Sequence, residues 1–108
     1  MPLDAEALRC ADDLEQVDRE IVRLASLCEV KVLEAGVIAR VLKNDASVCA
    51  TANPMAFRKL RELLMLHLAM REKAAESFGQ AQANAIEDHI VKRLRACFPD
   101  LPGAWPPA

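Results

Sequence analysis

The stretch FRKLRELLMLHLAMREKAAESF occupies Phe57–Phe78. Residues on a strict three-four spacing within it are Phe57, Leu60, Leu64, His67, Arg71, Ala74 and Phe78. Side chains at that spacing share one face of an α-helix. Five of these seven are apolar, so the stretch predicts an amphipathic helix with a histidine and an arginine inside its buried stripe. Two readings of that pair follow. In one, His67 is a hydrogen-bonded core histidine and Arg71 reaches to the edge of the stripe. In the other, they form a polar notch that sets helix register or meets an acidic partner or ligand. Glu34 is the expected partner of Arg71.

Upstream, Asn53-Pro54 is a strong helix start, with asparagine as cap and proline at the first helical position. NDASVCATAN (Asn44–Asn53) reads as the internal loop. Downstream, SFGQ (Ser77–Gln80) holds a glycine and fits a capping box from Ser77 to Gln80. The apolar stripe then shifts to Ala83, Ile86, Ile90, Leu94 and Cys97, which predicts a kink or break at Gly79. Pro99 ends the third helix near Cys97.

The first forty residues carry one glycine and, after Pro2, no proline. Asp4 can cap a helix there, and acids crowd its first turns. Ala7, Cys10, Leu14, Val17, Ile21, Leu24 and Cys28 form a seam that continues through Val32, Ala35, Ala39 and Leu42. This predicts one long helix over residues 4–43. A second stripe, Val30, Leu33, Val37, Ile38 and Val41, lies nearly opposite the first on a helical wheel. If the helix is unbroken it spans ~60 Å, too long for a compact domain of this size, and the second stripe is an expected dimer interface with Leu66 and Met70. The alternative is a break near Gly36, where helix propensity is weakest.

The 108 residues suit one helical domain (1–98) followed by a proline-rich tail (99–108). The composition is 53% hydrophobic and 28% charged, with no tyrosine and a formal net charge of -2. A general nucleic-acid binder is usually basic. Two basic clusters, Arg58-Lys59-Arg61 and Lys92-Arg93-Arg95, nevertheless keep a nucleic-acid alternative open, although acids are interleaved and stacking aromatics are scarce. Cys10, Cys28, Cys49 and Cys97 form no C-x-x-C pair, so reduced thiols in a cytoplasmic protein are expected. No signal peptide or membrane span is evident. No phosphate loop, dinucleotide fingerprint or metal-binding spacing is present, so no cofactor is expected. In the tail, Leu101 and Trp105 are candidates to dock on a groove of the helical body.

LEQVDREIVRL (Leu14–Leu24) is similar to the opening stretch of the all-helical chorismate mutases. The resemblance covers the first helix and implies an all-helical architecture of one long and two shorter helices. It also implies cationic side chains gripping a dicarboxylate. The positions expected to hold them are Cys28 and Ala39 or, with a shift, Arg40, so two of the three are neutral.

These observations predict an all-α fold, a three-helix bundle or an elongated hairpin with one long N-terminal helix, expected to form a dimer. The function expected first is that of a small bacterial-type cytoplasmic interaction protein, an adaptor, a chaperone-like protein or a regulatory subunit, rather than an enzyme. Its partners would be a second copy of itself and another protein. A small-ligand pocket floored by His67 and Arg71 is the alternative.

Overall fold

The computed structural model describes residues 3–51 and 53–99. The docking proposed for Leu101 and Trp105 therefore lies outside the described residues. Three α-helices follow in order: α1 (Ala5–Cys28), α2 (Val37–Leu42) and α3 (Pro54–Cys97), with a short 3-10 turn at Ala46–Val48. The chain is all-α among the described residues, and none of its helices is long and apolar enough to cross a membrane.

The start of α1 follows the sequence reading: Asp4 Oδ1 accepts from the Ala7 amide at 2.8 Å. Its end does not. The helix stops at Cys28, where Glu29 adopts a left-handed conformation (φ 54°). The Val30 amide then bonds the Ala25 carbonyl and the Glu29 amide bonds that of Ser26, the paired bonds of a Schellman cap. Residues 30–36 leave the helical path, and Gly36 (φ 82°) turns the chain back into α2. The single helix over 4–43 is therefore two helices.

This break explains the second stripe. Val30, Ile38 and Val41 are buried within the chain, and Leu33 and Val37 pack partly buried against the same core. Their shift in phase reflects a new element folding back, not a two-faced helix awaiting a partner. The dimer interface expected on these five residues is corrected accordingly. The elongated alternative is also corrected: the extents are 43 × 27 × 20 Å with a radius of gyration of 13.9 Å, close to the ~13 Å of a compact domain this size.

Asn53 caps α3, its Oδ1 accepting from Ala56, with Pro54 opening the helix. The 44 residues of α3 would span ~66 Å if straight, well beyond the longest extent of 43 Å. Gly79 bends the helix with φ 81° and ψ 164°, a conformation that only glycine adopts freely. The predicted kink is present, but the capping box is not: the Gln80 side chain donates to Asn84 instead. Two arms result, 54–78 and 80–97. Arg71 and Glu87, each eight residues from Gly79, meet at 2.6 Å, so the arms fold back on each other.

α1 packs against α3. Leu14, Ile21, Leu60, Leu64 and Leu94 are among its largest fully buried side chains. Glu15, also buried, accepts from Arg19 on its own helix at 3.1 Å and from Arg93 on the second arm. The ion pair ties α1 to that arm.

Candidate functional site

The bend at Gly79 leaves a space between α1 and both arms of α3. It is a cavity of about 90 Å³. By the same measure a single water needs roughly 10–15 Å³, so the space suits several waters or a compact ligand. Leu14, Ala74, Ala83, Ile86 and Ile90 supply apolar wall, while Asp18, His67, Arg71, Gln80, Asn84 and Glu87 supply polar groups.

Its floor is the Asp18–His67 pair. Asp18 is 0% and His67 2% exposed. His67 Nδ1 stands 2.5 Å from Asp18 Oδ1. That is ion-pair distance, so Asp18 Oδ1 and His67 Nδ1 face each other, while Asp18 Oδ2 and His67 Nε2 have no partner within the chain. Buried polar groups are nearly always hydrogen-bonded, and leaving them unsatisfied costs on the order of 1–3 kcal/mol each. Asp18 Oδ2 and His67 Nε2 are two such atoms on one small cavity.

The mouth is formed by Arg71 and Glu87, at 31% and 35% side-chain exposure. Their pair spans the two arms and is about a third exposed to solvent.

Several expected site residues go elsewhere. Glu34 does not meet Arg71: it is exposed and lies 3.9 Å from Lys31, because residues 30–36 have left the helix that would have carried it across. Arg71 takes Glu87 instead. The basic clusters are partly used inside the chain. Arg61 Nε donates to the Leu42 carbonyl at 3.1 Å, fastening α2 to α3, and Arg93 holds Glu15. Arg58 lies 3.9 Å from Glu62. Lys59, Lys92 and Arg95 are exposed. Neither cluster presents all its cations to one surface. Among the described residues no group of His, Cys, Asp or Glu could hold a metal ion.

The residue missed in the sequence is Asp18. Its signal was available: it stands four after Leu14 and three before Ile21, within the α1 seam. A carboxylate there must be buried if the seam is.

The thiols divide by environment. Burial, with help from Cys49, pushes the Cys28 thiol up to about 11. Cys49 Sγ donates to the Cys28 carbonyl at 3.1 Å and the Thr51 carbonyl at 2.9 Å. All four cysteines are free, and Cys97 is the exposed one.

No family model matches this sequence, and no match is found among curated proteins or solved structures.

Proposed function

We propose that the chain is a small-ligand-binding helical protein and that its site is the interhelical cavity. The observation that carries this reading is the floor: Asp18 and His67 are at most 2% exposed and line the space, and Asp18 Oδ2 and His67 Nε2 have no partner within the chain. The charge inventory favours a compact organic cation, an ammonium of a few heavy atoms. Asp18 and Glu87 are carboxylates, and Arg71 is already paired with Glu87. A buried carboxylate is stable only when paired or hydrogen-bonded. An ammonium supplies the donor that Asp18 Oδ2 lacks, while a methyl or ethyl stem suits the alanine and isoleucine walls. The same inventory argues against a dicarboxylate, which would meet two acids and a single engaged guanidinium. The free cysteines support the expectation of a reducing, cytoplasmic setting.

Thermal-shift titration tests the reading, using methylammonium, ethylammonium and ethanolamine against acetate and phosphate. A ligand at one hundred times its dissociation constant adds about 2.7 kcal/mol to stability. Stabilisation by the amines, lost in Asp18→Asn, is the expected result. Equal stabilisation in wild type and Asp18→Asn, or none by any probe, refutes it.

A second reading, a protein-interaction role for the surface of α3, rests on a separate observation. LLMLHLAM (residues 63–70) is apolar around nearly the whole helix, yet α1 covers only one side. Met65, Leu66 and Leu68 remain 45–49% exposed. A helix apolar all round is ordinarily covered all round.

A further inference from the structure

The outward face of the first α3 arm carries a charge pattern complementary to its own reverse. Opposite the buried stripe run Lys59, Glu62, Leu66, Ala69, Lys73 and Glu76, all exposed. Their spacing is three, four, three, four, three, the a/d repeat of a coiled-coil seam. Laid against a second copy running the other way, with the two-fold axis midway between Leu66 and Ala69, each seam position j meets position 135−j. Lys59 then meets Glu76, Glu62 meets Lys73, and Leu66 meets Ala69. Every charged layer pairs opposite signs. Laid parallel in register, every charged layer pairs like signs, which is destabilising.

We infer that this arm is the self-association surface of the protein, pairing antiparallel with the same arm of a second copy in this register. The inference rests on the second reading above and names its partner. The apolar centre consists of Leu66 and Ala69, flanked by the half-buried Leu63 and Met70 of both copies. The lysine–glutamate layers close both ends. An isologous contact of this kind is satisfied by two copies and does not propagate. It leaves the cavity free, because none of the six seam residues lines it. The Glu62–Lys73 layer is the one to perturb, since the contact of Glu62 within the chain is a 3.9 Å pair with the exposed Arg58, which is worth little. The Glu20 carboxyl of α1 is held low by Arg23 first and by Lys59 in part, so Lys59 also acts inside the chain.

The test is light scattering on a sizing column over a concentration series, with helicity checked by circular dichroism. Wild type is expected at twice the chain mass of 11.9 kDa, and Leu66→Asp at the single mass. Glu62→Lys and Lys73→Glu each place like charges in two symmetry-related layers and should weaken the dimer about tenfold, given exposed ion-pair strengths. The double swap restores opposite signs and should return the wild-type midpoint. A wild type monomeric throughout the series overturns the pairing. A dimer that survives Leu66→Asp overturns both the pairing and the α3 interaction reading. A dimer lost in Leu66→Asp but indifferent to the charge variants keeps that reading and overturns the antiparallel register.

Discussion

Replacing His67 with leucine should be far more damaging than replacing Asp18 and His67 together. Asp18 is 0% exposed, and His67 Nδ1 is the nearest group able to offset its charge, at 2.5 Å. Removing one member of a buried close pair costs about 3–5 kcal/mol when it strands a charge on the other. A domain's total stability is about 5–15 kcal/mol, so His67→Leu removes a large part of it. The midpoint should fall by on the order of 10–20 °C. In Asp18→Leu/His67→Leu no charge remains. The cavity of about 90 Å³ beside both residues has room for the added methyl groups, so overpacking is not the limit. Buried pairs replaced by apolar residues are often neutral or more stable by about 1–4 kcal/mol. The double variant should therefore match or exceed wild type, giving a coupling energy of several kcal/mol. Urea unfolding of wild type, both single variants and the double, followed by circular dichroism, measures it. Effects that add to within about 0.5 kcal/mol would show that the two residues act independently, and the cavity floor as described would be wrong. A double variant more stable than wild type would also mean that the pair is retained at a cost to folding, as a binding site would be.

Gly79→Ala should destabilise by about 1–3 kcal/mol. Nothing lies within 4 Å of the added Cβ, so the loss comes from the backbone (φ +81°) and not from a clash; urea midpoints check it, and an unchanged midpoint refutes the bend. Arg71→Ala should change stability by no more than about 1 kcal/mol, since its pair with Glu87 is about a third exposed, while altering any amine-induced shift in melting temperature. For the thiols, maleimide should label Cys97 first and Cys28 last, at the rate of unfolding. The Cys28 thiol is raised in the folded chain, so its contribution to stability is complete below the ordinary thiol value of 9.0 and is lost as pH rises towards about 11. Alkaline unfolding in that window should lose this component in Cys28→Ala, as followed by circular dichroism against pH.

The legible parts of this fold were those with local chemical markers. Asp4 and Asn53-Pro54 announce helix starts because their side chains or rings satisfy the first turn of amides wherever the helix goes. Gly79 announces a bend because a left-handed backbone is cheap only there. The end of α1 carried no such marker. Glu29 takes the position that glycine usually occupies in a Schellman cap, and a glutamate in a left-handed conformation is invisible in a sequence that reads as helix on both sides. The signal lay instead in the phase of the apolar stripe. Val30, Ile38 and Val41 fall off the α1 seam because they belong to a chain that has turned, and that same shift can be read, wrongly, as a second face.

The site was half legible for the same reason. His67 and Arg71 could be placed on one face from spacing alone, since both lie on one uninterrupted arm. Their partners could not, because pairing depends on where two breaks send the chain. The turn at Glu29 removes Glu34 from reach of α3. The bend at Gly79 returns Glu87 to Arg71, eight residues on either side of the glycine. The cavity is a product of that bend: a straight α3 would carry Gln80, Asn84 and Glu87 away from α1, leaving Asp18 and His67 facing water. A glycine in a strained conformation therefore does two things at once. It closes the core over the second arm, and it holds open a space in which a buried carboxylate and an imidazole each keep an atom without a partner. Gly79→Ala should for that reason diminish amine-induced stabilisation by more than its effect on folding alone, and that difference separates a built site from an incidental gap.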